Sequence, residues 1–220
     1  TLSRATGRRV FIPQYRRAPD HPAPAQFDDA LAAWNMLISR GYRADNIIIG
    51  GDSAGGGSAL ALLSYLCRTN QQPAAGFMLS PWTDMTLSGA SLQSNADSDV
   101  LFPPRRIAEL RGMVLGNLDP QDARISPLFG DFPNCPPVFL QASDTEILRD
   151  DTLRMVDRLR SFAALVTLDL WPATPHVWPL FHGYFPEADQ AIVRIADFIN
   201  TYGQVRTMSP IPAPNLPDEN

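Results

Sequence analysis

Two hydrophobic periods alternate along the chain. Short apolar runs without polar alternation sit at Val10 to Pro13, Asn46 to Gly50, Ala74 to Ser80, Val138 to Ser143 and Leu165 to Leu170. Such runs read as strands buried on both faces. Between them lie stretches with apolar residues three and four apart. Gln26 to Arg40 places Phe27, Ala30, Leu31, Trp34, Leu37 and Ile38 on one helical face. Ala54 to Arg68, Asp150 to Phe162 and Ala188 to Tyr202 read likewise, and Pro104 to Gly116 reads as a helix opened by its proline. Strands alternating with helices predict an α/β fold, a mostly parallel sheet with helices on both faces. The pattern shows no repeat and no internal boundary. Residues 1–208 are expected to form one domain. Residues 209–220, with Pro210, Pro212, Pro214 and Pro217, are expected to form an extended Pro-rich tail.

Composition narrows the chemistry. The 220 residues carry a net charge of -5 and no run of like charges, which argues against nucleic acid or an anionic membrane as partner. No apolar stretch is long enough for a membrane span, and no secretory signal is visible, so the expected location is cytoplasmic. Cys67 and Cys135 are read as two unpaired thiols. With three histidines and no metal-like cluster, neither a metal nor another cofactor is expected. All 18 basic residues are arginine, so no lysine is present to act as catalytic base or Schiff-base former.

Gly51-Asp52-Ser53-Ala54-Gly55 stands between a predicted strand and a predicted helix. A G-x-S-x-G turn in that setting is a nucleophile elbow: its glycines are expected to relieve crowding where strand and helix nearly touch, and Ser53 is held proud of the sheet at the positive end of a helix. Without lysine, a nucleophilic Ser53 needs a histidine base. His176 follows a predicted strand by a short loop, at the sheet end where active-site loops gather; His182 is the alternative. The orienting acid should lie between Ser53 and His176 in the chain. Asp144 and Glu146 both lie in the loop after Ser143 and both remain candidates, whereas Asp150 and Asp151 fit the first turn of the next helix as caps.

Five stretches carry a family resemblance: Tyr15-Arg16-Arg17-Ala18-Pro19-Asp20-His21-Pro22, the elbow with Gly56, Ser80-Pro81-Trp82-Thr83-Asp84, Leu148-Arg149-Asp150-Asp151 and Pro175-His176-Val177-Trp178. In these the chain resembles the hormone-sensitive-lipase-like esterases, the bacterial family IV branch of the α/β hydrolases. The resemblance implies an α/β-hydrolase fold and a serine carboxylesterase acting on short- to medium-chain esters as its small-molecule substrates. It implies Ser53 as nucleophile, His176 as base and Glu146 as acid, with Asp144 the alternative acid. It makes His21 structural, in a loop near the elbow. The N–H of Ala54 is the expected oxyanion donor. Members of the family often dimerise at the sheet edge, here placed at Leu165 to Leu170. An amidase or lactonase would use the same triad. Trp82, Phe102, Phe129, Trp178 and Phe181 are read equally as acyl-pocket lining or as core.

The chain departs from the family pattern at one point. It contains no His-Gly-Gly-Gly motif, whose N–H groups form most of the family's oxyanion hole. Thr1 to Gly7 reads as the end of the helix after that loop, and the family's cap helices and first three strands lie upstream. The expectation is that these residues are one part of a larger protein, with a preceding segment completing the sheet and the oxyanion hole; the alternatives are that Val10 to Pro13 pairs directly with Asn46 to Gly50, or that the chain is a catalytically impaired binding module.

Overall fold

The computed structural model describes residues 1–102 and 104–203. The predicted tail, 209–220, lies outside them. The frame is a four-stranded parallel sheet in the order β1 (Ile48–Asp52), β2 (Ala75–Leu79), β3 (Val138–Ser143) and β4 (Val166–Trp171). Among the described residues seven α-helices accompany it: α1 (Leu2–Thr6), α2 (Ala25–Ser39), α3 (Ser53–Arg68), α4 (Ser91–Ser94), α5 (Pro104–Leu115), α6 (Arg149–Ser161) and α7 (Pro186–Tyr202).

Successive strand residues point to opposite faces, and both faces are mainly apolar, apart from the buried Gln141–Asp169 pair. On one side Ile49, Met78, Val138 and Leu140 meet Leu60, Leu63 and Leu66 of α3, Met155 and Leu159 of α6, and Trp34 of α2. On the other, Ala75, Leu79 and Phe139 meet Ile195, Phe198 and Ile199 of α7, with Leu2 of α1 against them. Full burial of each Val, Leu, Ile, Met or Phe side chain among them contributes roughly 1.5–3 kcal/mol, so the sheet cannot slip register without losing a layer on each face.

Val10 to Pro13 corrects the strand prediction. The segment is not a strand and does not pair with β1; Val10, Phe11 and Ile12 are exposed, Ile12 at 83%. β1 pairs only with β2 among the described residues. Beyond these residues the chain, still without regular structure, is anchored by Arg16, whose guanidinium and backbone N–H both bond Asp29 on α2. Asp150 and Asp151 do occupy the first turn of α6, but their carboxylates do not cap it. Asp150 accepts the Ser91 N–H, and Asp151 accepts the N–H groups of Thr83 and Asp84.

Among the described residues no helix is long and apolar enough to cross a membrane. None of the described His, Cys, Asp or Glu residues forms a group of three fit to hold a metal ion. Cys67 and Cys135 are free.

Candidate active site

All four strands run the same way, so the loops after them gather at one end of the sheet. Ser53 follows β1 directly, Glu146 lies in the loop after β3 and His176 in the loop after β4. The three side chains meet there. His176 Nε2 stands 2.9 Å from Ser53 Oγ, and His176 Nδ1 stands 2.7 Å from Glu146 Oε2. The Glu146 and His176 side chains are almost fully buried, 0% and 4% exposed. The second carboxylate oxygen, Oε1, accepts the N–H of Ser143 at 3.3 Å.

Backbone strain marks the site. Ser53, Ser80 and Val177 hold left-handed conformations with φ of 50°, 48° and 51°. Such geometry costs about 1–3 kcal/mol at a non-glycine residue and persists only where the surroundings impose it. The restraints are visible. The Trp82 N–H donates to Ser53 O at 3.0 Å, and the Val177 N–H donates to Ser80 Oγ at 3.2 Å. The elbow and the histidine loop are thus both tied to the segment after β2.

The glycines are not equivalent. A Cβ on Gly51 would overlap the Gly55 carbonyl, one on Gly57 the Trp82 carbonyl, and one on Gly56 would press on Pro81. Gly55 faces open space among the described residues. The expected crowding at both flanks of the pentapeptide therefore holds at Gly51 only; elsewhere it falls on Gly56 and Gly57, where α3 runs closest to the loop after β2.

Asp144 stands apart from the histidine ring. Its Oδ1 accepts the Ala173 N–H at 2.9 Å, which ties the acid loop to the histidine loop through backbone. His182 is exposed, and its Nε2 meets Thr1 Oγ1 at 2.6 Å. His21 lies in an exposed loop whose carbonyl takes a hydrogen bond from Gln26. The Ala54 N–H belongs to the first turn of α3, where the helix supplies no acceptor and its dipole is positive. Beside it opens a mainly apolar cleft of about 200 Å³, lined by Ala54, Trp82, Met85, Val114 and Ile125 among others. Of the other aromatics, Phe102 packs edge-on to the His176 ring at 4.8 Å, Trp178 is fully buried, and Phe129 and Phe181 are partly exposed.

A buried polar cluster supports this end of the sheet. Burial alone would raise the Asp84 carboxyl; hydrogen bonds from Ser88, Thr86 and Arg154 outweigh it and hold Asp84 below the ordinary carboxylate range. At Asp151 burial wins and pushes the carboxyl up to about 7, against the pull of the Thr83 N–H and Arg154. The hydrophobic pattern gives no sign that these residues form a buried cluster, nor of α4, because polar side chains facing inward leave no apolar period.

Known proteins share this arrangement of elements. The α/β-hydrolase fold matches residues 1–180. An acetyl-hydrolase of Streptomyces hygroscopicus is 33% identical over 201 residues, covering 91% of this chain and 67% of that protein. An esterase of Acinetobacter venetianus is 33% identical over 199 residues, covering 90% of this chain and 66% of its own length. A solved esterase of the bacterial hormone-sensitive lipase family superposes with a TM-score of 0.89 at 38% identity, covering 92% of this chain and 68% of that one. The chain thus spans roughly two thirds of the length of these relatives.

Proposed function

The chain belongs to the α/β-hydrolase-fold family, among the bacterial hormone-sensitive-lipase-like esterases, and on that premise we propose that the protein hydrolyses short- to medium-chain carboxylic esters through an acyl-enzyme on Ser53. The observation that carries this reading is the continuous hydrogen-bonded path from Ser53 Oγ through His176 to Glu146. With Nδ1–H donated to Glu146, the Nε2 lone pair faces the serine hydroxyl. Ser53 Oγ attacks the ester carbonyl carbon as Nε2 takes its proton. The tetrahedral oxyanion collapses, the C–O bond to the alcohol breaks, and Nε2 returns the proton to the leaving oxygen. Water then gives a proton to Nε2, attacks the acyl carbon, and releases the acid as Ser53 recovers its proton.

The Ala54 N–H is one donor for the oxyanion. Each such donor is worth about 100- to 1000-fold in rate, and one alone leaves the larger share to other groups. An acetyl-hydrolase is named among the relatives, which supports a small acyl group. The decisive test is turnover of p-nitrophenyl acetate and butyrate. Hydrolysis is expected to depend on Ser53, and a rate equal to that of Ser53→Ala would sink the proposal.

A further inference from the structure

The loop that carries Glu146 has no regular structure of its own, yet its carboxylate must stay on a single imidazole nitrogen. Its backbone is held by another segment. Asn95 Nδ2 donates to the carbonyls of Asp144 and Glu146, at 2.8 and 2.9 Å. Ser98 Oγ donates to the Thr145 carbonyl at 2.9 Å, and Ser91 Oγ to the Ile147 carbonyl at 2.7 Å. Asp99 Oδ2 accepts the Ile147 N–H at 2.9 Å. Four consecutive carbonyls, 144 to 147, are thereby taken by side chains from one short segment.

The spacing explains how. Positions 91, 95, 98 and 99 are separated by four, three and one, which places them on one face of a helical turn. The backbone is helical enough to present them so: Asn95 N–H bonds to Ser91 O and Asp99 N–H to Asn95 O, both at 3.0 Å. The same segment reaches the base. Asp99 Oδ1 accepts the N–H groups of Leu101 and Phe102, each at 2.9 Å, and the Phe102 ring meets His176 edge-on. One polar face thus grips the acid loop while its continuation braces the histidine.

We propose that Asn95, with Ser91, Ser98 and Asp99, positions Glu146 against His176, and that this segment sets kcat through that pair without touching substrate. The proposal rests on the Ser53–His176–Glu146 reading. Removing the Asn95 amide frees two carbonyls of the acid loop, one on Glu146 itself. A displacement of about 1 Å at a catalytic group costs up to about 100-fold in rate.

The test is steady-state hydrolysis of p-nitrophenyl butyrate by the whole protein carrying Asn95→Ala, alone and combined with Glu146→Gln. The expected result is a kcat about 10- to 100-fold lower with KM within about two-fold, and no further loss when Asn95→Ala is added to Glu146→Gln. Unchanged kcat in Asn95→Ala overturns the proposal, as does an equal loss in both backgrounds, which would make the segment a structural support. Full activity in Glu146→Gln overturns the triad reading beneath it and is told apart by that variant alone. Should Asn95→Ala not fold, Ser98→Ala carries the test, since that residue is exposed. Its kcat is expected to fall and to be restored in Ser98→Thr; unchanged kcat in Ser98→Ala overturns the proposal. A readout free of turnover is the downfield proton of the Glu146–His176 hydrogen bond. It is expected to broaden in Asn95→Ala and stay sharp in Gln93→Ala, at an exposed position between the gripping residues; equal line widths in both also overturn it.

Discussion

Replacing Glu146 by glutamine leaves the volume of the side chain alone and changes only what its two terminal atoms do. Both carboxylate oxygens act as acceptors, Oε1 from the Ser143 N–H at 3.3 Å and Oε2 from His176 Nδ1 at 2.7 Å. An amide has one acceptor oxygen. If that oxygen faces His176, the NH₂ group confronts the Ser143 N–H, donor against donor, at a site almost closed to water. A buried donor stranded in this way costs about 1–3 kcal/mol. If the oxygen faces Ser143, the NH₂ group donates to Nδ1 and the imidazole proton moves to Nε2. The Ser143 N–H then keeps its acceptor and no two donors confront each other, so this arrangement wins. Its consequence is that the nitrogen 2.9 Å from Ser53 Oγ becomes a donor and the base is lost. A wrong-tautomer histidine in a serine triad lowers kcat about 10⁴-fold, about 5.5 kcal/mol at ~1.36 kcal/mol per decade. Asp144→Asn is the contrasting variant. Its one side-chain bond to the histidine loop uses Oδ1 as acceptor for the Ala173 N–H, which asparagine retains, so the loss is expected to stay below about five-fold, on the scale of a neutral-for-charged hydrogen bond. Initial rates on p-nitrophenyl butyrate, with Ser53→Ala as baseline, compare the two. A near-normal Glu146→Gln with a crippled Asp144→Asn would refute the reasoning and move the acid to Asp144.

Three further outcomes follow from packing and charge. Gly57→Ala places a Cβ on the Trp82 carbonyl oxygen, and the Trp82 N–H bonds to Ser53 O, so overpacking of about 1–3 kcal/mol should appear in urea unfolding together with lost activity. Gly55→Ala, facing open space, should leave stability unchanged or better. Ser126 is fully buried, accepts the Met85 N–H at 2.8 Å and donates to the Pro120 carbonyl at 2.6 Å. Ser126→Ala should therefore cost about 1–3 kcal/mol for each group left unpaired, read as a lower urea midpoint at unchanged slope. Asp151, raised to about 7 in the folded protein, has an ordinary value near 3.9 when unfolded. The folded state holds its proton more tightly, so its contribution is fully present below about pH 4 and is lost as pH rises through about 7. Asp151→Asn should gain on the parent across that window by up to about 4 kcal/mol, at ~1.36 kcal/mol per unit. A pH-independent difference in urea midpoints between the two proteins would contradict it.

Much of this architecture is legible in the residues because apolar periodicity reports burial, and burial positions most elements. The strand prediction at Val138 to Ser143 coincides with β3, and the helix expected over Ala54 to Arg68 differs from α3 by one residue. β1 shows where propensity falls short. The expected strand ended at Gly50, yet pairing continues through Gly51 beside Met78 and Asp52 beside Leu79. These residues have poor strand propensity, and the neighbouring strand imposes their conformation. Ser53 and His176 stand out in the residues themselves, whereas Glu146 is preferred to Asp144 only through the family resemblance. The side chains that grip the acid loop do not stand out, because Ser91, Asn95, Ser98 and Asp99 look like a polar turn until a loop about fifty residues later supplies their partners.

Val10 to Pro13 and β4 make the same point about strands. Both are short and rich in aliphatic side chains, and both present apolar groups to solvent: Phe11 and Ile12 in the first, Leu170 in the second. Composition does not separate them. β4 lies beside β3 in six registered pairs from Val166 to Trp171, so its backbone groups are satisfied by a ladder and its inward face rests on packed helices. Val10 to Pro13 has no strand beside it among the described residues, and β1 keeps one edge unpaired. Without a ladder, an extended backbone gains nothing over hydration and its side chains have no opposite neighbours to meet. A strand is a property of a pair, and a single run of residues encodes only half of it.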